Sequence, residues 1–415
     1  MTRDFLFLQG PPGPFFAELA TGLRAVGHRC HRVHFTGGDQ FDWPGAATHF
    51  TGTLGGWPAH IHGLLVADGI TDVVLFGDCR PLHAAARGVA GALAITVHVF
   101  EEGYIRPDWV TLERGGVNGH SSLPRGADAY RRHATLLPPV VDHPPVPASF
   151  RTRAAEALAY FVATRLRASR FPGYRSHRPH GPAAELAGWV RRMALRPVAR
   201  LRSAASHRAL TGRRYVIVPL QLDSDHQIRT HSPFAGMTEA IETIVESFAR
   251  SAPADLSLMI KEHPLDNGLR AWRRTIRAIA TRHAVRDRIR FVEHGDLHAL
   301  VIAATGLVTV NSTTGTFALA AGTPVAVLGH AVYDLPGLTH RQGLDAFWTA
   351  PVAPDPALYE AFRRVLAARC LLRGGFSSRA GRALLIPGAI DRLLARPTPT
   401  AIDEAIHARS IEVFA

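Results

Sequence analysis

The sequence predicts an α/β protein made of two Rossmann-like domains that face each other across a cleft. Three observations carry this expectation. Short apolar runs alternate with helix-period stretches in two separate series, one opening at Phe5 and the other at Tyr215. Strictly alternating strands and helices imply parallel sheets joined by right-handed crossovers. At 415 residues the chain is also long for a single hydrophobic core, so two domains are the default.

The first series opens on the apolar run Phe5 to Gln9, which enters the turn Gly10-Pro11-Pro12-Gly13-Pro14. The helix-period stretch Phe15 to Val26 follows, and Cys30 to Phe35 reads as the next strand. The turn is not G-x-G-x-x-G, so it carries no dinucleotide fingerprint. Asp72 to Phe76 is a strand ending on Gly77-Asp78-Cys79-Arg80-Pro81, with a helix from Leu82 to about Ala90. Ile95 to Phe100 is another strand, and it stops on Glu101-Glu102-Gly103. Adjacent like charges before a glycine are poor strand chemistry. They point either to a site or to two solvated loop glutamates.

Residues 151–214 differ in composition, with 15 Arg, no Lys, and only Glu156 and Glu185 as acids. Phe161, Phe171, Tyr174 and Trp189 are interleaved with them. Helical spacing with a basic face suits helices lying on an anionic membrane surface, and equally a basic linker between domains. No nucleic-acid motif accompanies the charge, so no nucleic-acid partner is expected. The second series places strands at Tyr215 to Leu220, Leu256 to Ile260, Ile289 to Val292, Leu307 to Val310 and Pro324 to Leu328. The expected boundaries are therefore 1–150, a basic helical segment over 151–214, 215–350, and C-terminal helices over 351–415. Two such domains facing a cleft is the GT-B architecture, that of a large class of glycosyltransferases.

Four strand ends of the second series carry polar clusters. They are Gln221 to Gln227, Lys261-Glu262-His263-Pro264, Glu293-His294-Gly295-Asp296 and Asn311-Ser312-Thr313. Open α/β sheets bind ligands at the carboxyl ends of their strands. Lys261 is the only lysine among 47 basic side chains, which hints that a compact ammonium is wanted there; a solvated strand end is the plainer alternative. Lys261 and His263 would converge on an anion that the hydroxyl- and amide-rich turn at Asn311 also serves. Asp223-Ser224-Asp225 satisfies D-x-D, but three residues opening an αβ domain are weak evidence for a metal. The pair can instead divide catalytic work or cap the next helix.

The remaining composition excludes several classes. A hydrophobic fraction of 47% with 20% charged residues is globular. Three scattered cysteines signal neither a disulfide framework nor a zinc site, which fits a reducing cytoplasm. The amino terminus lacks a signal-peptide pattern, and the longest apolar stretch, from about Gly88 to Phe100, is too short to span a membrane. A net charge of +13 favours anionic partners.

Glu101-Glu102-Gly103, His263-Pro264 and Asn311-Ser312-Thr313, in that order, resemble the acidic-acidic-Gly, His-Pro and hydroxyl motifs of GT-B bacterial sialyltransferases that use CMP sugars. The surrounding sequence is closer still to the capsular polysaccharide biosynthesis/export family of the KpsS/LipB type. Matching segments include Leu8-Gln9-Gly10-Pro11, Gly37-Gly38-Asp39, Gly77-Asp78-Cys79-Arg80-Pro81 and Phe100 to Tyr104 with Arg106-Pro107. Further ones are Gly116-Val117-Asn118-Gly119, Pro219-Leu220-Gln221 with Asp225 and Gln227, His263 to Asp266, and Gly337-Leu338-Thr339. The likeness runs over about residues 4–348.

That resemblance implies a β-Kdo transferase that takes Kdo from CMP-Kdo. The acceptor would be a phosphatidylglycerol-type lipid or the growing β-Kdo linker of a capsular polysaccharide. It implies a cytoplasmic protein, peripheral at the inner face of the inner membrane, in contact with other capsule biosynthesis and export proteins. By the same resemblance Asp225 matches the aspartate nucleophile of retaining β-Kdo transferases, with Asp223 its rival. Glu101, or Glu102, would be the acceptor's general base, and His263 would bind and protonate the departing phosphate. Gly10, Arg106, Gln221, Lys261, Pro264, Asn311, Ser312 and Thr313 would line the substrates. No cofactor or metal is expected, since one leaving phosphate can be neutralised by cationic and N–H donors. Two alternatives stay open: an inverting, sialyltransferase-like CMP-sugar enzyme, and a non-enzymatic basic capsule assembly or export factor.

Overall fold

The computed structural model describes residues 2–395 apart from 142, 148, 177–180 and 224–225. Two α/β domains face each other, the GT-B-type arrangement. The first holds β1 (Asp4–Phe7), α1 (Phe15–Ala25), β2 (Arg29–His34), α2 (Gly37–Asp42), β3 (Thr48–His49), α3 (Trp57–Ala67) and β4 (Asp72–Phe76). It continues with α4 (Pro81–Ala92), β5 (Thr96–Glu102), β6 (Trp109–Arg114) and α5 (Ala127–Ala134). Strands β5, β4, β1, β2 and β3 are parallel neighbours in that order. All four residues of β1 are buried because helices cover both faces of the sheet. Phe5 and Phe7 pack with Phe15, Phe16, Leu19 and Leu23 of α1, whereas Leu6 and Leu8 pack on the opposite face with Trp57, Ile61 and Leu65 of α3. That two-residue alternation is the strand period, and each such side chain buried contributes about 1.5–3 kcal/mol.

The sequence predicts that the strand after Ile95 stops at Phe100, but β5 runs on through Glu102. The reason is β6, which pairs antiparallel to it and aligns Glu101 with Thr111 and Glu102 with Val110. A β6 with this role has no short-range signal, because the intervening Gly103 to Asp108 reads as a loop.

The basic segment is divided between the domains. Helix α6 (Phe150–Leu166) packs on α2, with the buried Tyr160 hydroxyl donating to Asp39 (3.1 Å) and accepting from Gln9 Nε2 (2.7 Å). Helix α7 (Pro182–Leu210) lies against the second domain, where Ser203 Oγ accepts the N–H groups of Glu293 (3.1 Å) and His294 (3.0 Å).

The second domain contains β7 (Tyr215–Pro219), α8 (His226–Thr230), α9 (Met237–Ser251), β8 (Ser257–Lys261), α10 (Trp272–Arg282) and β9 (Ile289–Val292). It is completed by α11 (Leu297–Ile302), β10 (Gly306–Thr309), α12 (Thr314–Ala320), β11 (Val325–Val327) and α13 (Leu344–Phe347). Its sheet is wholly parallel, in the order β11-β10-β7-β8-β9.

Helices alone were expected over 351–415. The structure instead places β12 (Leu371–Arg373) between α14 (Pro356–Arg369) and α15 (Arg379–Leu394), and this segment returns to the first domain. Strand β12 joins the first sheet antiparallel to β6, and α15 packs on α1. Domain contacts include the Thr316 hydroxyl donating to the Tyr104 carbonyl (2.8 Å) and the Tyr359 hydroxyl donating to the Thr316 carbonyl (2.9 Å). No helix among the described residues is long and apolar enough to cross a membrane.

Candidate functional site at the interdomain cleft

Because β5 continues through both glutamates, Glu101 and Glu102 project to opposite faces of the sheet, which relieves the repulsion that adjacency suggests. Glu102 turns towards α6 and pairs with Arg153 (2.9 Å). The Glu101 carboxylate accepts the Glu102 N–H (3.0 Å) and lies against Gly77 at the end of β4. Beyond the strand, Arg106 stands close enough to the second domain for its charge to act on His263.

The base of this hairpin is held by a buried network. Tyr104 donates to Glu113 (2.6 Å) and accepts the Asn118 N–H (2.6 Å), while Ser121 also donates to Glu113. Burial pushes the Glu113 carboxyl up from an ordinary 4.5 to about 7, despite the two hydroxyl donors. The folded state therefore keeps a proton that the unfolded chain has lost between those values. Stability contributed by this group is present below about pH 4.5 and lost as pH rises through 7, a change of roughly 3 kcal/mol. Glu113→Gln should flatten the fall in Tm between pH 5 and pH 8 (both approximate settings); thermal melts of the two proteins with parallel slopes would contradict this.

On the second domain, Gln221 and Asn311 form one buried amide knot. Gln221 Nε2 donates to Asn311 Oδ1 (2.7 Å), Gln221 Oε1 accepts the Asn311 N–H (3.1 Å), and Asn311 Nδ2 reaches the carbonyls of Gln227 (3.1 Å) and His231 (3.5 Å). The knot fixes the ends of β7 and β10 and the α8 turn relative to one another. Ser312 and Thr313 lead into α12, where Ser312 Oγ accepts the Thr314 N–H (3.1 Å). His263 is half-buried, and burial, helped by Arg106, pushes its imidazole down to about 4. Its Nδ1 accepts the Leu265 N–H (3.1 Å), which leaves the proton on Nε2, a neutral donor. Pro264 is exposed beside it.

Two expected site residues, Lys261 and Asp223, have partners within the protein, and Gly10 is a close-packed position. Lys261 is buried, and its ammonium donates to the backbone carbonyls of Glu262 (3.0 Å) and Glu293 (3.1 Å), so it ties the ends of β8 and β9 where a phosphate contact was expected. Asp223 accepts the first N–H of α9, that of Met237 (3.0 Å), and pairs with Arg270 through its other oxygen. Both of its oxygens therefore have partners within the second domain. Gly10 needs to be glycine because a Cβ there would lie 2.8 Å from the Phe16 ring. Asp225 lies outside the described residues.

The structure also brings together residues that the motifs did not single out as a site. Asp78 and Cys79 follow β4, His120 lies in the 3-10 turn Asn118–His120, and His231 follows α8. The Cys79 Sγ to His231 Nε2 distance is 3.2 Å, across the domain boundary. Separately, α7, α10 and the ends of β8 and β9 enclose a cavity of about 430 Å³ with Arg191, Arg192, Arg202, Arg273 and Arg277 on its walls. Arg192 pairs there with the buried Glu262 (2.6 Å). In sequence these arginines were visible only as a charge excess, since the cavity forms when α7 folds back onto β9.

Residues 71–377 match the family model described as "Capsule polysaccharide biosynthesis protein". The chain belongs to that family. It is 36% identical over 371 residues to the capsule polysaccharide export protein KpsS of Escherichia coli, covering 88% of this chain and 94% of the relative. It is 33% identical over 386 residues to the capsule polysaccharide modification protein LipB of Neisseria meningitidis, covering 91% of this chain and 92% of the relative. Among solved structures, the KpsC β-Kdo 2,7 transferase of Thermosulfurimonas dismutans aligns with 94% of this chain and 99% of its own, at 14% identity and a TM-score of 0.43. The matched region of the capsule family spans both halves of the cleft, from the start of β4 through α14 to β12.

Proposed function

We propose that this member of the capsule family is a retaining β-Kdo transferase. It would move Kdo from CMP-Kdo to a phosphatidylglycerol-type lipid or a nascent β-Kdo linker. The observation that carries the reading is the reach of the Arg106 charge, at the foot of the Glu101 hairpin, to His263 of the other domain. An anionic sugar on a nucleotide monophosphate suits that chemistry. Arg106 offers a permanent cation, and the His263 Nε2–H and the hydroxyls of Ser312 and Thr313 offer donors to one leaving phosphate, so no metal is required at the phosphate. Glu101 is assigned the general base of the acceptor and Asp225 the nucleophile, which would lie roughly 5 Å from the base carboxylate if the retaining-glycosidase spacing applies. Incubation of the purified protein with CMP-Kdo generated in situ and phosphatidylglycerol, followed by NMR of the product anomer, tests this. A β-linked product supports retention, an inverted anomer moves the protein to the inverting class, and no transfer to lipid or linker favours an assembly factor.

The anionic membrane surface is the proposed docking partner, with the protein peripheral at the inner face of the inner membrane. Along α7, Leu186, Val190, Met193 and Leu201 are all exposed and fall on one helical face, at spacings of four, three and eight. Exposed Arg191, Arg196 and Arg200 are interspersed along the same helix. Apolar insertion plus about 1 kcal/mol per basic residue near an anionic surface gives reversible binding. Replacing Leu186 and Leu201 together by Glu should reduce sedimentation with phosphatidylglycerol vesicles roughly tenfold or more. Unchanged binding of a folded variant would remove α7 from the docking surface.

A further inference from the structure

We propose that Asp78, Cys79, His120 and His231 form a site for one zinc-type divalent cation that clasps the two domains together. This goes beyond the transfer reading and does not rest on it. The four ligand atoms all lie within 4.8 Å of one another. Asp78 Oδ2 is 2.9 Å from His120 Nδ1, Asp78 Oδ1 is 3.3 Å from Cys79 Sγ, and Cys79 Sγ is 3.2 Å from His231 Nε2. Tetrahedral zinc, with bonds of about 2.0–2.3 Å, needs neighbouring ligand atoms about 3.3–3.6 Å apart, so small side-chain shifts bring the set to that geometry. One sulfur, two imidazole nitrogens and one carboxylate oxygen favour zinc over magnesium or calcium, which take oxygen ligands.

The surroundings are shaped for the cluster. A Cβ at Gly116 would come 2.5 Å from His120 Cβ and 2.9 Å from Asp78 Oδ2, and one at Gly119 would come 2.2 Å from His231 Nδ1. The Gly116-Val117-Asn118-Gly119 segment is therefore a backbone wall that only glycine lets approach both sides of the cluster. The Val117 N–H donates to Asp78 Oδ2 (3.1 Å), the kind of outer contact that orients a ligating carboxylate. Asp78 is fully buried. Binding would release the Cys79 thiol proton to solvent, and the thiolate and the Asp78 carboxylate would together balance the two charges of the ion. With the ion on His120 Nδ1, that ring carries its proton on Nε2, so the Arg87 guanidinium now 3.3 Å away turns aside. Three ligands come from the first domain and His231 from the second, so the ion fixes the closure of the cleft.

The test uses the full chain, stripped of metal by a chelator under reducing conditions and titrated with Co²⁺. The expected result is one Co²⁺ per chain with a thiolate-to-cobalt charge-transfer band and the strong visible bands of four-coordinate cobalt, both displaced by Zn²⁺. Cys79→Ser should lose the charge-transfer band, and His231→Ala should weaken binding at least ~10-fold. Absence of the thiolate band in the wild-type protein, which needs no variant to fold, would overturn the proposal. So would an unchanged band in Cys79→Ser, or unchanged affinity in a folded His231→Ala protein.

Discussion

Glu101→Gln is expected to lower kcat for sugar transfer by about 10²–10⁴, the range a positioned general base supplies, with little change in donor KM. Glu102→Gln should change kcat far less. The two residues are neighbours in sequence, but strand β5 separates their carboxylates onto opposite faces. Glu102 is neutralised by Arg153, whereas Glu101 is directed at the β4 turn beside Cys79. The measurement is steady-state kinetics of both variants under identical acceptor conditions. Equal losses would mean that the pair acts as a unit, and a larger loss in Glu102→Gln would reverse the assignment. Because the Gln side chain keeps size and hydrogen-bonding capacity, the comparison isolates the ionised carboxylate.

Asp225→Ala should abolish transfer, and a trapped or mass-resolved Kdo adduct on Asp225 of the wild-type protein should vanish with it. Asp223→Ala should behave differently. Its oxygens hold the first N–H of α9 and the Arg270 guanidinium, so the expected result is a loss of stability of about 1 kcal/mol, typical of a lost helix cap, with kcat largely kept. The Arg270 contribution is small because that side chain is half-exposed and the pair is screened by solvent. Thermal melts and kcat read side by side separate the roles. Full activity in Asp225→Ala would remove the double-displacement mechanism and leave the inverting alternative. A fall of kcat in Asp223→Ala without a change in Tm would make Asp223 the nucleophile.

His263 illustrates how far sequence reasoning carried and where it stopped. An apolar run ending on His-Pro identified the carboxyl end of β8, and that is where the residue lies. Its protonation state depends on burial and on Arg106, a residue 157 positions earlier in the chain, which sequence spacing does not reveal. Lys261 stands out in the sequence as the only lysine, but its backbone partners are not visible there. Its ammonium is drawn to two strand-end carbonyls once α7 covers that edge of the sheet. A compact ammonium suits that narrow gap, which accounts for the one position where this chain does not use arginine.

What the sequence determined by itself is the set of local elements. Apolar periodicity, glycine turns and polar strand ends depend on residues a few positions apart, and they predicted both Rossmann-like series. Only the tertiary structure decided that Glu101 and Glu102 project to opposite faces of β5, that β6 and β12 extend the first sheet, and that α7 lines an arginine-rich cavity. It alone assembled Asp78, Cys79, His120 and His231, whose ligand atoms come from three separate segments spanning 154 residues of chain. The physical reason is common to all of these. Side-chain direction, burial and charge pairing are set by what packs from the other domain or from a returning strand, and those contacts leave no periodic signature in the chain itself.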